Sequence, residues 1–123
     1  MSNEQIFRRG DVILVSLPYI SDPAQSKVRP AVILQNNTGN RYSPNLIVAS
    51  ISSQLPSREY PTNVILRSGT PEAEGSGLDR DSVIQAEIIL TIPKANVVKK
   101  LGGINEKTTA RVNQAVKISL ALP

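Results

Sequence analysis

Every apolar run in this chain is short, rich in β-branched residues, and stopped by proline, glycine or a polar cluster. Val12-Ile13-Leu14-Val15-Ser16-Leu17 ends at Pro18, and Pro30-Ala31-Val32-Ile33-Leu34-Gln35 follows after a polar stretch. Leu46-Ile47-Val48-Ala49-Ser50-Ile51 is nearly all apolar, which predicts a strand buried on both faces. A short strand is expected at residues 62–66, and a long one at 82–92 that Pro93 terminates. Branching at Cβ favours the pleated sheet over the helix. With one Phe and no Trp, the core has to be assembled from Val, Ile, Leu and Ala.

The segments between these runs read as connections. Residues 19–28 hold Asp22, Pro23, Gln25, Ser26 and Lys27, too polar to bury and long enough to carry function. Residues 36–45 read as a turn-forming loop, 52–61 as a polar loop, and 68–81, with three glycines, a proline and several acids, as an exposed connection. Residues 94–100 are expected to hold a single helical turn and 101–104 a short edge strand. After that the period changes. Asn105 is a good N-cap, and Val112, Ala115, Val116, Ser119 and Leu120 recur at helical spacing on one face. The expected architecture is one mainly β domain spanning 1–123, with a core of about 8–122, built as a small barrel sealed by a C-terminal α-helix.

Composition excludes much chemistry. There is no cysteine, hence no disulfide, thiolate nucleophile or thiolate metal site. There is no histidine, which removes the usual neutral-pH base, the commonest zinc ligand and every Ser-His arrangement. Catalysis, if present, rests on carboxylates, basic side chains and hydroxyls. Asp79 and Asp81 lie in a glycine-rich turn, where acids more often cap turns than bind a metal, so no metal site and no cofactor are expected. A net charge of +4 suits a polyanionic partner such as nucleic acid, or an acidic protein segment. The polar first eleven residues and the short apolar runs predict no leader, no membrane span and a cytoplasmic location.

Three stretches in register resemble the MazF/PemK family of toxin–antitoxin ribonucleases. The first is Arg9-Gly10-Asp11-Val12 with Val28-Arg29-Pro30-Ala31-Val32-Ile33. The second is Val48-Ala49-Ser50-Ile51-Ser52-Ser53. The third is Asp81-Ser82-Val83-Ile84 with Leu90-Thr91-Ile92 and the terminal Ala115-Val116-Lys117-Ile118-Ser119-Leu120. The resemblance covers nearly the whole chain. It implies an SH3-like barrel of the CcdB/Kid/PemK type, a homodimer, and metal-independent, sequence-specific cleavage of single-stranded mRNA. It also implies an acidic antitoxin as partner and DNA binding by the toxin–antitoxin complex.

RNA carries its own nucleophile in the 2′-hydroxyl, so cleavage needs only a base, charge stabilisation at phosphorus and a proton for the leaving oxygen. Arg29, at a loop–strand junction, is the first candidate, because a guanidinium matches phosphate oxygens bidentately. The family's matching arginine is catalytic, although an arginine taken at random more often sits in a surface ion pair. Ser52 matches a position usually held by threonine, whose hydroxyl contacts the scissile phosphate in the family; the competing reading is a strand-end hydroxyl bonded to its own backbone. Glu87 is the third catalytic candidate, expected to be partly buried and so suited to act as base. Alternation alone leaves it as readily facing solvent. Gln25, Lys27, Ser53, Gln54 and Gln85 are candidate RNA contacts, Gln85 standing where relatives carry an arginine.

Two departures from the family pattern stand out. The first loop lacks the family's glycines and Glu-Gln pair and reads Asp22-Pro23-Ala24-Gln25-Ser26-Lys27. Ile88-Ile89-Leu90-Thr91 replaces a Gln-x-Arg-Thr run, which removes a charge near the expected RNA groove. Two alternatives therefore accompany the ribonuclease reading: a CcdB-like toxin that poisons gyrase, and a homologue that binds RNA with weakened cleavage.

Overall fold

The computed structural model describes residues 5–123; residues 1–4, part of the stretch on which no leader was expected, lie outside the described residues. Six strands form one antiparallel sheet. They are β1 (Asp11–Pro18), β2 (Ser26–Ile33), β3 (Asn45–Ser52), β4 (Asn63–Leu66), β5 (Ser82–Pro93) and β6 (Val97–Gly103). Their order across the sheet is β4-β5-β3-β2-β1-β6. Helix α1 (Asn37–Tyr42) joins β2 to β3, and α2 (Glu106–Leu120) ends the chain.

The continuous apolar runs are explained by burial on both faces of this sheet. Val12, Val32, Ala49, Ile51, Val64, Leu66, Ile84 and Ala86 pack with Val112 and Ala115 of α2. On the opposite face Ile13, Val15, Leu17, Ala31, Ile33, Leu46, Val48 and Ile92 form a second cluster with Phe7. Ile47 is the exception in β3, 38% exposed. Helix α2 starts as expected at Asn105, whose side chain accepts from Thr108 N–H at 3.0 Å. Its buried residues are Thr108, Val112 and Ala115, so the last turn lies beyond the sheet's cover and Leu120, expected inward, is 54% exposed.

The mainly β fold is as expected, but the ladder does not close into a full barrel. β4 and β6 are the edges of the sheet, and the connection between β4 and β5 packs on β6. Gly103 N–H donates to the Gly75 carbonyl at 2.9 Å, and Gly77, at φ +75°, packs so closely that a Cβ there would collide with the Leu101 carbonyl. The glycine-rich connection thus blunts the β6 edge.

Three expectations are corrected. β2 begins at Ser26 rather than Pro30, because the hairpin ladder with β1 runs out to Pro18↔Ser26. The presumed loop at 36–45 contains α1, capped by the Asn36 carboxamide accepting from Gly39 N–H. Buried amides pin that turn, with Gln35 Nε2 donating to Asn40 Oδ1 at 3.1 Å and Asn40 Nδ2 donating to the Gln35 carbonyl at 2.8 Å. The single turn expected within 94–100 is the 3-10 turn Lys94–Asn96, but the edge strand β6 starts earlier than expected, at Val97. No helix among the described residues is long and apolar enough to cross a membrane.

Candidate functional site

Pro30 sets the local geometry of β2. It has no N–H to contribute to a ladder, and the β2–β3 pairing ends beside it, at Ala31↔Ser50. The hairpin of β1 and β2 therefore extends past the end of β3 as a two-stranded arm. Two residues further along each strand from Ala31 and Ser50, on the same face, come Arg29 and Ser52. Across the hairpin Arg29 lies opposite Val15, and Lys27 opposite Leu17.

The same face continues onto β5 and β4. Ser50 is opposite Gln85 and Ser52 opposite Val83, while Gln85 is flanked on its other side by Asn63. The face that is apolar at Ile33, Val48 and Leu46 thus turns polar at one end, in a row of Arg29, Ser50, Ser52, Gln85 and Asn63. Ser50, Ser52 and Asn63 are each 8% exposed, and Arg29 and Gln85 are half-buried. Such a row crosses the strands, and a polyanion lying across it meets a cation, hydroxyls and amides in succession.

A strand irregularity places Glu87. One step along β3, from Ala49 to Ser50, is matched on β5 by the step from Ile89 to Gln85. Ala86, Glu87 and Ile88 are left without β3 partners, which bends β5 sharply. Ala86 N–H donates to the Thr62 carbonyl at 2.9 Å, and Asn63 Nδ2 donates to both Glu87 oxygens, at 3.0 and 3.1 Å. The partial burial expected of Glu87 is not found, for its side chain is exposed at the bulge. The carboxylate is nonetheless tied to the row through Asn63.

Arg29 takes part in none of the ion pairs among the described residues. Its Cζ lies 5.9 Å from the centre of the Tyr19 ring, within cation–π range. Ser52 Oγ accepts from Gln54 N–H at 3.1 Å, so the backbone bond weighed against a chemical role does form. Its hydroxyl proton is not used by that bond. Lys27 and Gln25 are exposed on the arm, and Ser53 and Gln54 are exposed in the loop after β3, flanking the row without lying in it. Asp81 acts as a turn residue, Oδ1 accepting from Ser68 N–H at 2.8 Å and Oδ2 pairing with Arg67 at 3.3 Å. Leu90, in the run expected to depart from the family pattern, packs against the second cluster, at the apolar end of the face.

Ser50, Asn63 and Tyr19 were not singled out from the sequence. For Ser50 a signal existed, since Ser50 and Ser52 alternate in an otherwise apolar strand. Asn63 and Tyr19 join the site only through strand register and the hairpin, which no local pattern encodes.

Residues 8–120 match the model of the PemK-like, MazF-like toxin of type II toxin–antitoxin systems. The chain is 41% identical to the Endoribonuclease MazF of Staphylococcus saprophyticus over 117 residues, covering 95% of this chain and 93% of the relative. It is 38% identical to the Endoribonuclease EndoA of Bacillus subtilis over the same length, covering 95% and 97%. Among solved structures, a mycobacterial endoribonuclease in complex with its cognate antitoxin superposes with a TM-score of 0.75 at 25% identity, covering 95% of this chain and 97% of that one. The family match over residues 8–120 and the full-length likeness to relatives at 38–41% identity agree: the chain belongs to the PemK-like, MazF-like toxin family of type II toxin–antitoxin systems.

Proposed function

We propose that this chain is an endoribonuclease toxin that cuts single-stranded mRNA, through the polar row at the base of the β1–β2 arm. The observation that carries the reading is the placement of Arg29 and Ser52 on one face, at matching positions beyond Ala31↔Ser50, with the guanidinium in no ion pair among the described residues. Relatives at 38–41% identity named as endoribonucleases support it over gyrase poisoning.

In this scheme the 2′-hydroxyl attacks the adjacent phosphorus as the bond to the 5′-oxygen breaks, and the departing 5′-oxygen takes a proton from solvent water, giving a 2′,3′-cyclic phosphate and a free 5′-hydroxyl. Arg29 binds the non-bridging oxygens and stabilises the charge that grows there. A guanidinium is a donor without an acceptor site, so it serves to stabilise charge and not as the base. Ser52 donates its hydroxyl proton to a phosphate oxygen. Glu87, held beside the row by Asn63, takes the 2′-hydroxyl proton. Lys27, Gln25, Ser53, Gln54 and Gln85 contact flanking phosphates and base edges. No step calls for a metal ion or other cofactor.

The protein acts in the cytoplasm as a homodimer, and an acidic antitoxin silences it by covering the same cationic arm. The mycobacterial structure solved with its cognate antitoxin supports that partner.

The test is cleavage of a long single-stranded RNA in EDTA, with end-mapping of the products. Arg29→Ala is expected to lower cleavage by roughly 100-fold or more, the scale of losing one oxyanion donor, without moving the thermal transition. Full activity in that variant overturns the assignment. RNA that binds but stays intact with the unaltered protein would leave a binding homologue instead.

A further inference from the structure

We infer that Tyr19 is a base-stacking platform, so that the arm binds a nucleobase next to the phosphate that Arg29 holds. The inference rests on the RNA-cleaving reading and adds to it a subsite for an unstacked base.

Tyr19 follows Val15 and Leu17 at alternating positions, on the face of the hairpin that also carries Lys27 and Arg29. Its backbone is fixed. Tyr19 N–H donates to the Gln25 carbonyl at 3.0 Å, Gln25 N–H to the Asp22 carbonyl at 3.0 Å, and Ala24 N–H to Asp22 Oδ1 at 3.3 Å. This closes the loop at the tip of the arm, with Pro23 stiffening it. The Arg29 guanidinium lies against the ring, 5.9 Å from its centre, and the residue still keeps 38% of its surface in solvent.

A half-open aromatic ring backed by a guanidinium is a surface that proteins use for single-stranded bases. Every base has a π-face, and a neighbouring arginine adds cation–π attraction while its charge takes the phosphate. Holding the ring in place beforehand spares part of the ordering cost of binding. Arg41 and the exposed Tyr42 make a second such pair, 5.3 Å apart, but it lies on α1, away from the row. The Tyr19 contact ties the ring to the one cation in the polar row.

The chain has no Trp, so tyrosine emission reports the ring directly. The probe is a single-stranded RNA made uncleavable by 2′-O-methylation, titrated into the full chain carrying Tyr42→Phe and Tyr60→Phe, which leaves Tyr19 as the only emitter. Saturable quenching of that emission is expected. In the unaltered background, Tyr19→Leu is expected to raise the Kd for the probe and the KM for cleavable RNA by roughly 5- to 150-fold. Tyr19→Phe restores both, because the ring and not the hydroxyl makes the contact. Unchanged emission at saturating RNA, or a Kd for Tyr19→Leu within twofold of the parent, overturns the inference. So does a loss confined to kcat, which would make the ring a prop for Arg29 only. Quenching without cleavage would remove the nuclease reading and keep the platform; cleavage without quenching would do the reverse.

Discussion

Ser52 concentrates two demands on one oxygen. Its lone pair accepts from Gln54 N–H at 3.1 Å, closing the turn after β3, and its proton is left for a phosphate oxygen opposite Arg29. Ser52→Ala removes both, and the expected outcome is a drop in kcat of roughly 10- to 100-fold from the lost donor. The structural share is small, about 1 kcal/mol of stability for the orphaned N–H. Ser52→Thr keeps the oxygen and restricts χ1, so activity should hold or rise a few-fold with the melting temperature unchanged. Single-turnover cleavage of a short RNA by the three forms, beside thermal melts, checks this. An alanine variant that cleaves as fast as the parent while melting lower would mean that the hydroxyl serves only its own backbone.

At the scale of elements, the irregular parts of the sheet matter more than the regular ones. The three-residue bulge in β5 turns Glu87 outward and delivers its carboxylate to Asn63, and the glycine-rich connection covers the β6 edge that the ladder leaves open. Gly77 and Gly69 test the second device. Both have positive φ, +75° and +80°, but an added Cβ meets the Leu101 carbonyl at Gly77 and nothing within 4 Å at Gly69. Gly69→Ala should cost about 1 kcal/mol for the left-handed backbone alone, whereas Gly77→Ala adds an overpacking cost of roughly 1–3 kcal/mol. Urea midpoints at unchanged slope would measure the difference; equal shifts would show that the loop merely drapes over β6. These devices also mark where sequence reading stops. The apolar runs announced β1, β3 and β5, and Asn105 announced α2, because period and capping are local. The exposure of Glu87 depends on a bulge whose position is set by pairing with β3, and α1 depends on the buried amides of Gln35 and Asn40. Arg29 and Ser52 could be named singly from the family pattern. Their placement across one face is a property of register between strands distant in the chain.

For the molecule as a whole, electrostatics distinguishes a dedicated RNA path from a generally basic surface. The net charge of +4 draws a polyanion from any direction. Cations also lie away from the arm, such as Lys107 on α2; the backbone of Glu72 first, and Lys107 and Arg111 to a lesser degree, favour the ionised form of that neighbouring carboxyl and lower its pKa. If RNA follows the arm, only the arm's cations release counterions. On single strands each phosphate contact contributes about 0.7 to the slope of log K against log salt. Arg29→Ala and Lys27→Ala should each flatten that slope by about 0.7 for an uncleavable RNA, while Lys107→Ala leaves it where it was. Binding titrations between low and physiological salt resolve a change of that size. Equal flattening by Lys107→Ala would spread the RNA over the helix face as well, and a slope indifferent to both arm residues would place the nucleic acid somewhere other than the Arg29–Ser52 row.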